Sequence, residues 1–318
     1  MERLDSIRRG ARRPQPHCNH TSRKHPTKSM TLTDVRTLLD ELAAIAPAVR
    51  TELRSAANRG KTATENSSGD DQSVADLAIN RRFRERLSPL DAVGAFASEE
   101  CESVEETGEG YSVAIDPLDG SSNLQSNNTV GTVIGVYDAP LPASGRNLIA
   151  SAVLLYGPIT TMTTAVDGTV TQYTIDCGEM VDSRPVTVPD RERICGFAGT
   201  TSEWSEPVRS FWRELTDECK LRYTGAMVGD IAHLLVDGGL LGYPERTASP
   251  NGDLRLQYEV NPIAHLVETA GGRSSTGRGS PLDIQPDGLH QHVPAYFGTP
   301  ATIDTLEAHL ESASQTDE

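Results

Sequence analysis

The segment that most constrains this 318-residue chain is 113–123, where an apolar, strand-like run ends in Asp116-Pro117-Leu118-Asp119-Gly120-Ser121-Ser122-Asn123. Pro117 and Gly120 favour a turn between two carboxylates three positions apart, so both carboxylates can face one point. Hard cations such as Mg²⁺ prefer oxygen ligands of this kind. The N–H groups and hydroxyls of Gly120-Ser121-Ser122 could hold a phosphate. The pattern predicts a metal site beside an anion site, with a turn capped by aspartate as the alternative.

Further carboxylates occur elsewhere in the chain. Ser98-Glu99-Glu100 follows the apolar run 93–97, and because neighbouring strand residues point to opposite faces, both glutamates can serve one site only at a strand end. A solvated acidic turn is the alternative there. The remaining candidates are Asp70, Asp71, Asp76 and Glu259. Carboxylates gathered around one cleft repel one another, and a bound dication converts that repulsion into ligation.

The spacing of apolar residues predicts alternating helices and strands. Amphipathic helices are predicted from about residue 31 to before Gly60 and from 73 to 87. A later helix is predicted to have Asn261 as its N-cap, Pro262 at its first position and Gly271 just past its end. Strands are predicted at 92–97, 111–115, 130–137, 148–156, 160–166 and 169–175, the last two joined by a hairpin at Asp167-Gly168. These elements predict an α/β sandwich with a mixed sheet.

Changes in composition divide the chain into three parts. Residues 1–30 carry a net charge of +6 and have no apolar periodicity, which predicts a disordered basic leader. Met30 lies just before a helix start, so a start codon assigned too early fits this pattern, and a nucleic-acid-binding or targeting arm is the alternative. A polar segment with two prolines at 184–193 predicts a boundary near residue 190. The predicted halves are residues 31–190 and 191–318.

The charge balance narrows the environment and the partners. The net charge is −16, and arginines greatly outnumber lysines, 25 to 4. An acidic surface that is poor in lysine is typical of a protein that works at molar salt, where screening suppresses self-repulsion. An acidic mesophilic enzyme is the alternative. Such a field repels nucleic acid and anionic membranes, so neither is expected as a partner.

Cysteine usage and hydropathy predict a cytoplasmic location. The five cysteines, Cys18, Cys101, Cys177, Cys195 and Cys219, are scattered and form no CxxC pair, which argues against a disulfide framework or a zinc site. The basic start is not followed by the apolar segment of a signal peptide. No apolar run reaches the roughly 18 residues that a membrane helix needs.

Several stretches together resemble class I fructose-1,6-bisphosphatases, within the lithium-sensitive phosphatase superfamily. They keep their order and spacing over about residues 31 to 310 and read GDDQSVADLAIN, ASEE, AIDPLDGSSN, TVGTVIGVY, RYTGAMVGD, GGLLGYP, SPNGDLRLQYEVNP, AGGRSSTG and LHQHVPAYFGTP. Tyr258-Glu259 stands where inositol monophosphatases of the same superfamily typically have a Trp-Asp pair. The resemblance implies a layered α-β-α-β-α sandwich with mixed sheets. It also implies that 31–190 is the metal- and phosphate-binding half and 191–318 the sugar-binding half.

The resemblance also implies a role for each matching residue. Four carboxylates and one carbonyl would ligate two or three Mg²⁺ ions: Glu99, Asp116, Asp119, Glu259 and the carbonyl of Leu118. Glu100 would orient the attacking water, and Asp76, helped by Asp70, would be its base. The 1-phosphate would be held by Gly120, Ser121, Ser122 and Arg255, and the sugar with its distal phosphate by Tyr223, Tyr243 and Met227. Arg222 would reach the neighbouring subunit's site, which implies a homo-oligomer, by resemblance a homotetramer.

The chain departs from this family at two places that concern the distal phosphate. Asp253 stands where the family usually has a lysine that contacts this phosphate. The segment Gly196-Phe197-Ala198-Gly199 lacks an expected asparagine. A reversed charge should weaken distal-phosphate binding unless Arg246 or Arg222 replaces the lysine. We therefore expect intact catalysis with looser specificity, extending to sedoheptulose 1,7-bisphosphate.

Three functions remain in view. The resemblance implies a gluconeogenic hydrolase that converts fructose 1,6-bisphosphate to fructose 6-phosphate and phosphate by direct attack of metal-activated water. A broader sugar-bisphosphatase or an inositol-monophosphatase-like enzyme is the second possibility. A non-catalytic sugar-phosphate-binding regulator is the third, and the carboxylates Asp76 and Glu100, which binding alone would not need, argue against it.

Overall fold

The computed structural model describes residues 32–56, 64–65, 71–72 and 74–314. The α-helices of these ranges are α1 Leu32–Ala56, α2 Val74–Leu87, α3 Glu206–Glu218, α4 Met227–Asp237, α5 Asn261–Thr269 and α6 Pro300–Ser314. The strands are β1 Thr64–Glu65, β2 Asp71–Gln72, β3 Val93–Ser98, β4 Glu105–Glu106, β5 Tyr111–Asp119, β6 Gly131–Tyr137, β7 Leu148–Tyr156, β8 Thr160–Val166, β9 Thr169–Asp176, β10 Glu179–Pro185, β11 Ile194–Phe197, β12 Lys220–Leu221, β13 Gly239–Tyr243, β14 Leu254–Arg255, β15 Arg273–Ser275, β16 His292–Val293 and β17 Ala295–Gly298.

Two mixed sheets form the framework. The larger has the order β10-β9-β8-β7-β6-β5-β3-β4, in which β3 and β5 are parallel and the other neighbours are antiparallel. The smaller has the order β12-β11-β13-β17-β15, with β11 parallel to both of its neighbours. The parallel contact between β3 and β5 matters for function, because it brings the C-terminal ends of both strands to the same edge.

The helices and the two sheets form five layers, and three apolar cores hold these layers together. Successive side chains of a strand point to opposite faces, and the buried residues obey this rule. In β5, Val113 and Ile115 pack with α1 and α2. Ala114 faces the opposite way, into the central core that the larger sheet forms with α4, α5 and the smaller sheet. In β13, Leu241 joins this central core and Leu240 packs outward with α3 and α6. The layered α-β-α-β-α sandwich with mixed sheets is confirmed.

Most local predictions are confirmed. The hairpin between β8 and β9 turns at Asp167 and Gly168, whose φ angles of 49° and 69° are left-handed, as a type I′ turn requires. Gly271, with φ 85°, lies just past α5 as predicted. The strand predicted at 111–115 is longer and continues to Asp119.

The prediction that Asn261 is an N-cap is wrong. A π-helical turn, Leu256–Val260, runs directly into α5, so Asn261 has helical φ and ψ angles of −61° and −50°. Its side chain is fully buried rather than capping an exposed helix end. A π-turn is wider than an α-helical turn, so the side chains of the residues before α5 point in different directions from those of a regular helix. Glu259 is one of these residues.

Some predictions fall outside the described residues. The basic leader at 1–30 and Asp70 lie there, and the halves at 31–190 and 191–318 stay a prediction. Within the described part of the chain, no helix combines the length and apolar character that spanning a membrane requires.

Candidate active site

Three buried carboxylates lie close together. Asp116 and Asp119 come from the end of β5, and Glu259 comes from the π-turn before α5. Their side-chain oxygens include one from each residue within 4.8 Å of one another. All three residues are less than a tenth exposed. The two aspartates converge because the register of β5 on β6 shifts between them, so the predicted turn is a bulge within a strand.

Main-chain N–H groups fix the orientation of each of these carboxylates. Asp116 Oδ1 accepts from the N–H of Leu118 at 2.8 Å, and Glu259 Oε2 accepts from the N–H of Arg255 at 2.6 Å. Asp119 Oδ2 accepts from the N–H of Val228 at 2.7 Å, in the first turn of α4. The carboxylate rotamers are therefore set by the fold before any ligand arrives.

Glu99 adjoins this cluster. It follows β3, and Arg255 donates from Nη1 to its Oε2 at 3.0 Å, with both residues buried. The buried position of Glu99 excludes the solvated acidic turn for this residue. Glu100 is half-buried beside it, and its N–H donates to Ser98 Oγ at 3.3 Å. Glu99 thus lies at the cluster, whereas the role of Glu100 just outside it stays a prediction.

The electrostatics of the cluster fit a bound dication. Burial, followed by the charges of Glu99, Asp119 and Glu259, raises the pKa of Asp116 well above its ordinary value. Burial raises the pKa of Asp119 to about 6, although the N–H groups of Val228 and Met227 oppose the shift. Burial and then Glu259 also raise the pKa of Glu99, against the effect of Arg255. Closely spaced carboxylates repel one another when all are ionised, and a bound dication offsets that repulsion. Such a set of oxygen ligands matches a hard divalent metal ion.

The predicted phosphate-binding residues follow directly. Gly120 has a left-handed φ of 77° and precedes a short 3₁₀ helix, Ser121–Leu124. A Cβ atom at Gly120 would lie 2.3 Å from the Cβ of Ala226, just before α4. Ser121 is half-buried and Ser122 is exposed. The glycine therefore allows the end of β5 to approach the start of α4 closely.

We expect Gly120→Ala to damage this junction. The new Cβ would collide with Ala226, and the left-handed backbone would be strained as well. The free energy of unfolding should fall by about 2–4 kcal/mol, as measured by denaturant titration. Gly168→Ala, at an equally left-handed turn with nothing within 4 Å of the new Cβ, is the matched control and should cost about 1 kcal/mol. Equal losses in both variants would contradict a role for the close approach.

The predicted sugar-binding residues lie around the N-terminal end of α4. Arg222 and Tyr223 are exposed in the segment before the helix. Met227 is buried in the central core, and Tyr243 on β13 is buried with its hydroxyl donating to Asp230 Oδ2 at 2.6 Å. Partial burial and then the charges of Asp230, Asp119 and Asp253 raise the pKa of Tyr223, so this tyrosine lies within the field of all three carboxylates. Their substrate contacts stay a prediction.

Both positions at which the chain departs from the family contact the same arginine, Arg246. Arg246 forms a bidentate ion pair with Asp253, through Nε at 2.9 Å and Nη2 at 2.7 Å, and its Nη1 donates to Glu203 at 2.9 Å. The same side chain packs against Gly199, where a Cβ would lie 2.5 Å from Arg246 Cδ. Asp253 and the segment lacking asparagine are thus joined in space. Two carboxylates surround one guanidinium, so this group has a net negative charge.

Asp76 is placed less completely. It is buried in the first turn of α2, 3% exposed, as expected for a group that works inside a cleft. Its partner Asp70 is outside the described residues. The assignment of Asp76 as the base stays a prediction.

Sequence reasoning missed two polar residues that hold this region together. Asp230 is 1% exposed and accepts from the N–H of Thr224 at 2.7 Å. Asn123 donates from Nδ2 to the carbonyls of Thr129 and Thr224 at 2.8 and 2.9 Å. Both residues lie within motifs that the sequence displays. Thr224 lies only six positions before Asp230 but 101 positions after Asn123. The motifs were the available signal, and spacing could not reveal the contacts.

Comparison with known proteins shows which family this chain resembles. Family models described as the N-terminal and C-terminal domains of fructose-1-6-bisphosphatase match residues 20–184 and 188–311. A class 1 fructose-1,6-bisphosphatase of Natronomonas pharaonis is 46% identical over 86% of this chain and 97% of its own length. The Halobacterium salinarum protein of the same name is 44% identical over 86% and 96%.

Solved structures extend the similarity to the fold. Leishmania major fructose-1,6-bisphosphatase in its holo form has a TM-score of 0.82 and 28% identity, over 89% of this chain and 96% of that chain. Its apo form has a TM-score of 0.76 and 25% identity, over 90% and 96%. Matching family models over most of the chain, together with relatives above 40% identity, place it plainly: the chain belongs to the class 1 fructose-1,6-bisphosphatase family, with similarity to members from halophilic archaea.

Proposed function

We propose that the protein hydrolyses the 1-phosphate of fructose 1,6-bisphosphate, yielding fructose 6-phosphate and phosphate, with Mg²⁺ as its cofactor. The observation that carries the proposal is the buried cluster of Asp116, Asp119 and Glu259. Directly after this cluster, Gly120 and the 3₁₀ helix Ser121–Leu124 form the predicted phosphate-binding turn. The names of the relatives support the choice of substrate. Four carboxylates in a buried cleft give a binding-only protein no advantage, because each raises the electrostatic cost of folding.

The residues that would hold two or three Mg²⁺ ions are Glu99, Asp116, Asp119 and Glu259, with the Leu118 carbonyl. Bound Mg²⁺ would lower the pKa of water and offset the negative charge of the phosphate during displacement. The hydrogen bonds that hold Asp116, Asp119 and Glu259 to the main chain favour one arrangement of ligand oxygens. Glu99 pairs with Arg255, so ligation by Glu99 would release that guanidinium for the 1-phosphate.

The remaining roles belong to the chain itself. Water oxygen bonds to phosphorus as the ester P–O bond breaks, and the leaving sugar oxygen takes a proton from solvent, to which Asp76 would return the proton of the attacking water. Asp76 would accept the proton of the attacking water and Glu100 would orient that water. The N–H groups and hydroxyls of Ser121 and Ser122 would bind the transferred phosphate. Phosphate goes directly to water, so no residue has to serve as a covalent nucleophile.

The cellular setting follows from composition and resemblance. An acidic, lysine-poor chain with relatives in halophilic archaea supports a cytoplasm of high salt. There the reaction would serve gluconeogenesis. The exposed position of Arg222 is compatible with the predicted reach into a neighbouring subunit, and we propose a homotetramer. Sedimentation in molar KCl measures this directly.

The activity is tested by phosphate release in molar KCl with and without Mg²⁺. Parallel reactions contain fructose 1,6-bisphosphate, sedoheptulose 1,7-bisphosphate, fructose 6-phosphate and inositol 1-phosphate. Mg²⁺-dependent release from the first alone supports the proposal. Release from both bisphosphates supports the broader sugar-bisphosphatase, which the two carboxylates around Arg246 favour. Turnover of inositol 1-phosphate would favour the monophosphatase, and folded protein with no activity would refute catalysis.

We expect Asp253→Lys to lower the KM for fructose 1,6-bisphosphate by about tenfold, with little change in kcat. The substitution places an ammonium near Tyr223 and frees Arg246 from its bidentate partner, so the local charge becomes more favourable to an anion. Fructose 1-phosphate, which lacks the distal phosphate, is the control substrate and its KM should not change. Asp253→Asn separates the release of Arg246 from the effect of the new charge. An unchanged KM would mean that position 253 is not at the substrate.

A further inference from the structure

Asp230 is a buried carboxylate with a specific pattern of partners. It lies in the first turn of α4 and is 1% exposed. Oδ1 accepts from the N–H of Thr224 at 2.7 Å, and Oδ2 accepts from the hydroxyl of Tyr243 at 2.6 Å. Hydrogen bonds to a charged acceptor are roughly twice as strong as neutral ones. This carboxylate therefore fixes a loop and a strand to each other and to the helix.

Helix capping does not explain this residue. The N–H groups at the start of α4 belong to Met227 and Val228, and they bind Asp119 from β5. A capping aspartate satisfies donors of its own helix, whereas Asp230 takes one donor from before the helix and one from β13. Burial of a carboxylate is costly unless its hydrogen bonds are made, and these two contacts offset that cost.

Both main-chain polar groups of Thr224 are hydrogen-bonded to side chains. Its N–H binds Asp230, and its carbonyl accepts from Asn123 Nδ2 at 2.9 Å. Asn123 belongs to the short 3₁₀ helix after Gly120, the predicted phosphate-binding turn. Thr224 itself comes directly after Arg222 and Tyr223. The main chain of this one residue, through its N–H and its carbonyl, thus connects the phosphate-binding turn to the segment that carries the predicted sugar contacts.

We infer that Asp230 is a positioning residue for the sugar-binding end of the site, holding Tyr243 and, through Thr224, Tyr223 in the geometry that accepts a sugar bisphosphate. This inference rests on the proposed function. It separates two tasks at the start of α4, because Asp119 belongs to the metal cluster and Asp230 binds the loop and the strand that carry the predicted sugar contacts. Loss of Asp230 should therefore change substrate affinity far more than the chemical step or metal binding.

The test compares Asp230→Asn, Tyr243→Phe and the double variant with the wild-type chain. We expect Asp230→Asn to raise the KM for fructose 1,6-bisphosphate about tenfold, with kcat within about threefold and Mg²⁺ affinity by calorimetry unchanged. If Asp230 acts through Tyr243, the double variant should raise KM by clearly less than the product of the single effects. Tyr296→Phe is the control, since its buried hydroxyl has no hydrogen-bond partner among the described residues.

Several outcomes would overturn the inference. A multiplicative double variant, an unchanged KM, or a parallel loss of kcat and Mg²⁺ affinity would give Asp230 a merely structural role. If Asp230→Asn does not fold, as thermal unfolding will report, Asn123→Leu removes the hydrogen bond to the carbonyl of the same residue, Thr224, and should show the same selective rise in KM. Selectivity absent there also refutes the inference. Failure of the proposed function is distinct, because the wild-type chain would then release no phosphate.

Discussion

Asp116→Asn is expected to lower kcat/KM for fructose 1,6-bisphosphate by about a thousandfold or more while it raises the stability of the metal-free protein. Loss of one ligand from a buried cluster removes several kcal/mol of transition-state stabilisation, and each 1.36 kcal/mol corresponds to a factor of ten. Asparagine keeps the shape and can accept from the Leu118 N–H as Asp116 Oδ1 does, so the backbone bulge should persist.

The opposite change in stability follows from the same electrostatics. Burial, Glu99, Asp119 and Glu259 all disfavour the ionised form of Asp116 and raise its pKa. Without metal, a neutral amide at this position removes that repulsion at pH 8. We expect a gain of about 2 kcal/mol, or roughly 4 °C in Tm. A gain in stability with a loss of function is typical of groups that are retained for chemistry.

The measurement is thermal unfolding of both proteins in molar KCl, with EDTA and with Mg²⁺, beside the phosphate-release assay. Asp283→Asn is the matched control, because it removes an exposed carboxylate that pairs with Arg146. That control should leave activity unchanged and the response of Tm to Mg²⁺ intact. An Asp116→Asn protein that keeps wild-type activity, or that loses stability in EDTA, would contradict our reading of the cluster.

Mg²⁺ binding is expected to release protons and to weaken by at least tenfold between pH 8 and pH 5. Asp119 has a pKa of about 6 in the metal-free fold, and the pKa values of Asp116 and Glu99 are also raised. A ligand oxygen must lose its proton before it binds a cation. Each proton displaced below its pKa reduces the apparent affinity tenfold per pH unit.

The sign of the stability effect is fixed by the same shift. The pKa of Asp119 rises from an ordinary 3.8 to about 6 on folding, so protonated Asp119 favours the folded, metal-free state. That contribution is complete below about pH 4 and is lost as the pH rises through 6. EDTA should therefore lower Tm most at pH 8 and least near pH 5.

Calorimetry in two buffers with different ionisation enthalpies counts the protons directly. At pH 6 we expect at least half a proton released for each binding event that involves Asp119. The Asp283→Asn protein, whose replaced carboxylate is exposed, should release the same number. No proton release across pH 5 to 8, with binding intact, would mean that the carboxylates are already ionised and that the cluster is less strained than we infer.

Local sequence was sufficient wherever the physics is local. The hairpin at Asp167-Gly168 formed as predicted, because two adjacent left-handed residues favour this turn in any context. Amphipathic spacing identified α1 and α2, since a helix must bury its apolar face. The N-cap at Asn261 failed because the tertiary packing of the π-turn, which carries Glu259, overrode a favourable local signal.

The candidate site was predictable in its composition and not in its connections. Asp116, Asp119 and Glu259 were identified from motifs, and the structure brings them together. The ion pair between Arg246 and Asp253 and the hydrogen bond between Asp230 and Tyr243 were not identified. Nothing in the neighbouring sequence distinguishes an arginine that is exposed to solvent from one that, like Arg246, forms an ion pair with Asp253. Such pairs exist only once the chain has folded.

The sequence by itself determined which chemical groups the site contains, namely the carboxylates and the glycine that a metal-dependent phosphatase needs. It could do so because residue type and short-range backbone geometry are local properties. Tertiary structure alone decided which oxygens face one point, how far burial and mutual repulsion raise their pKa values, and how Asp230 joins a loop to β13. Those outcomes depend on distances between residues as far apart as Glu99 and Glu259, and folding is what sets such distances.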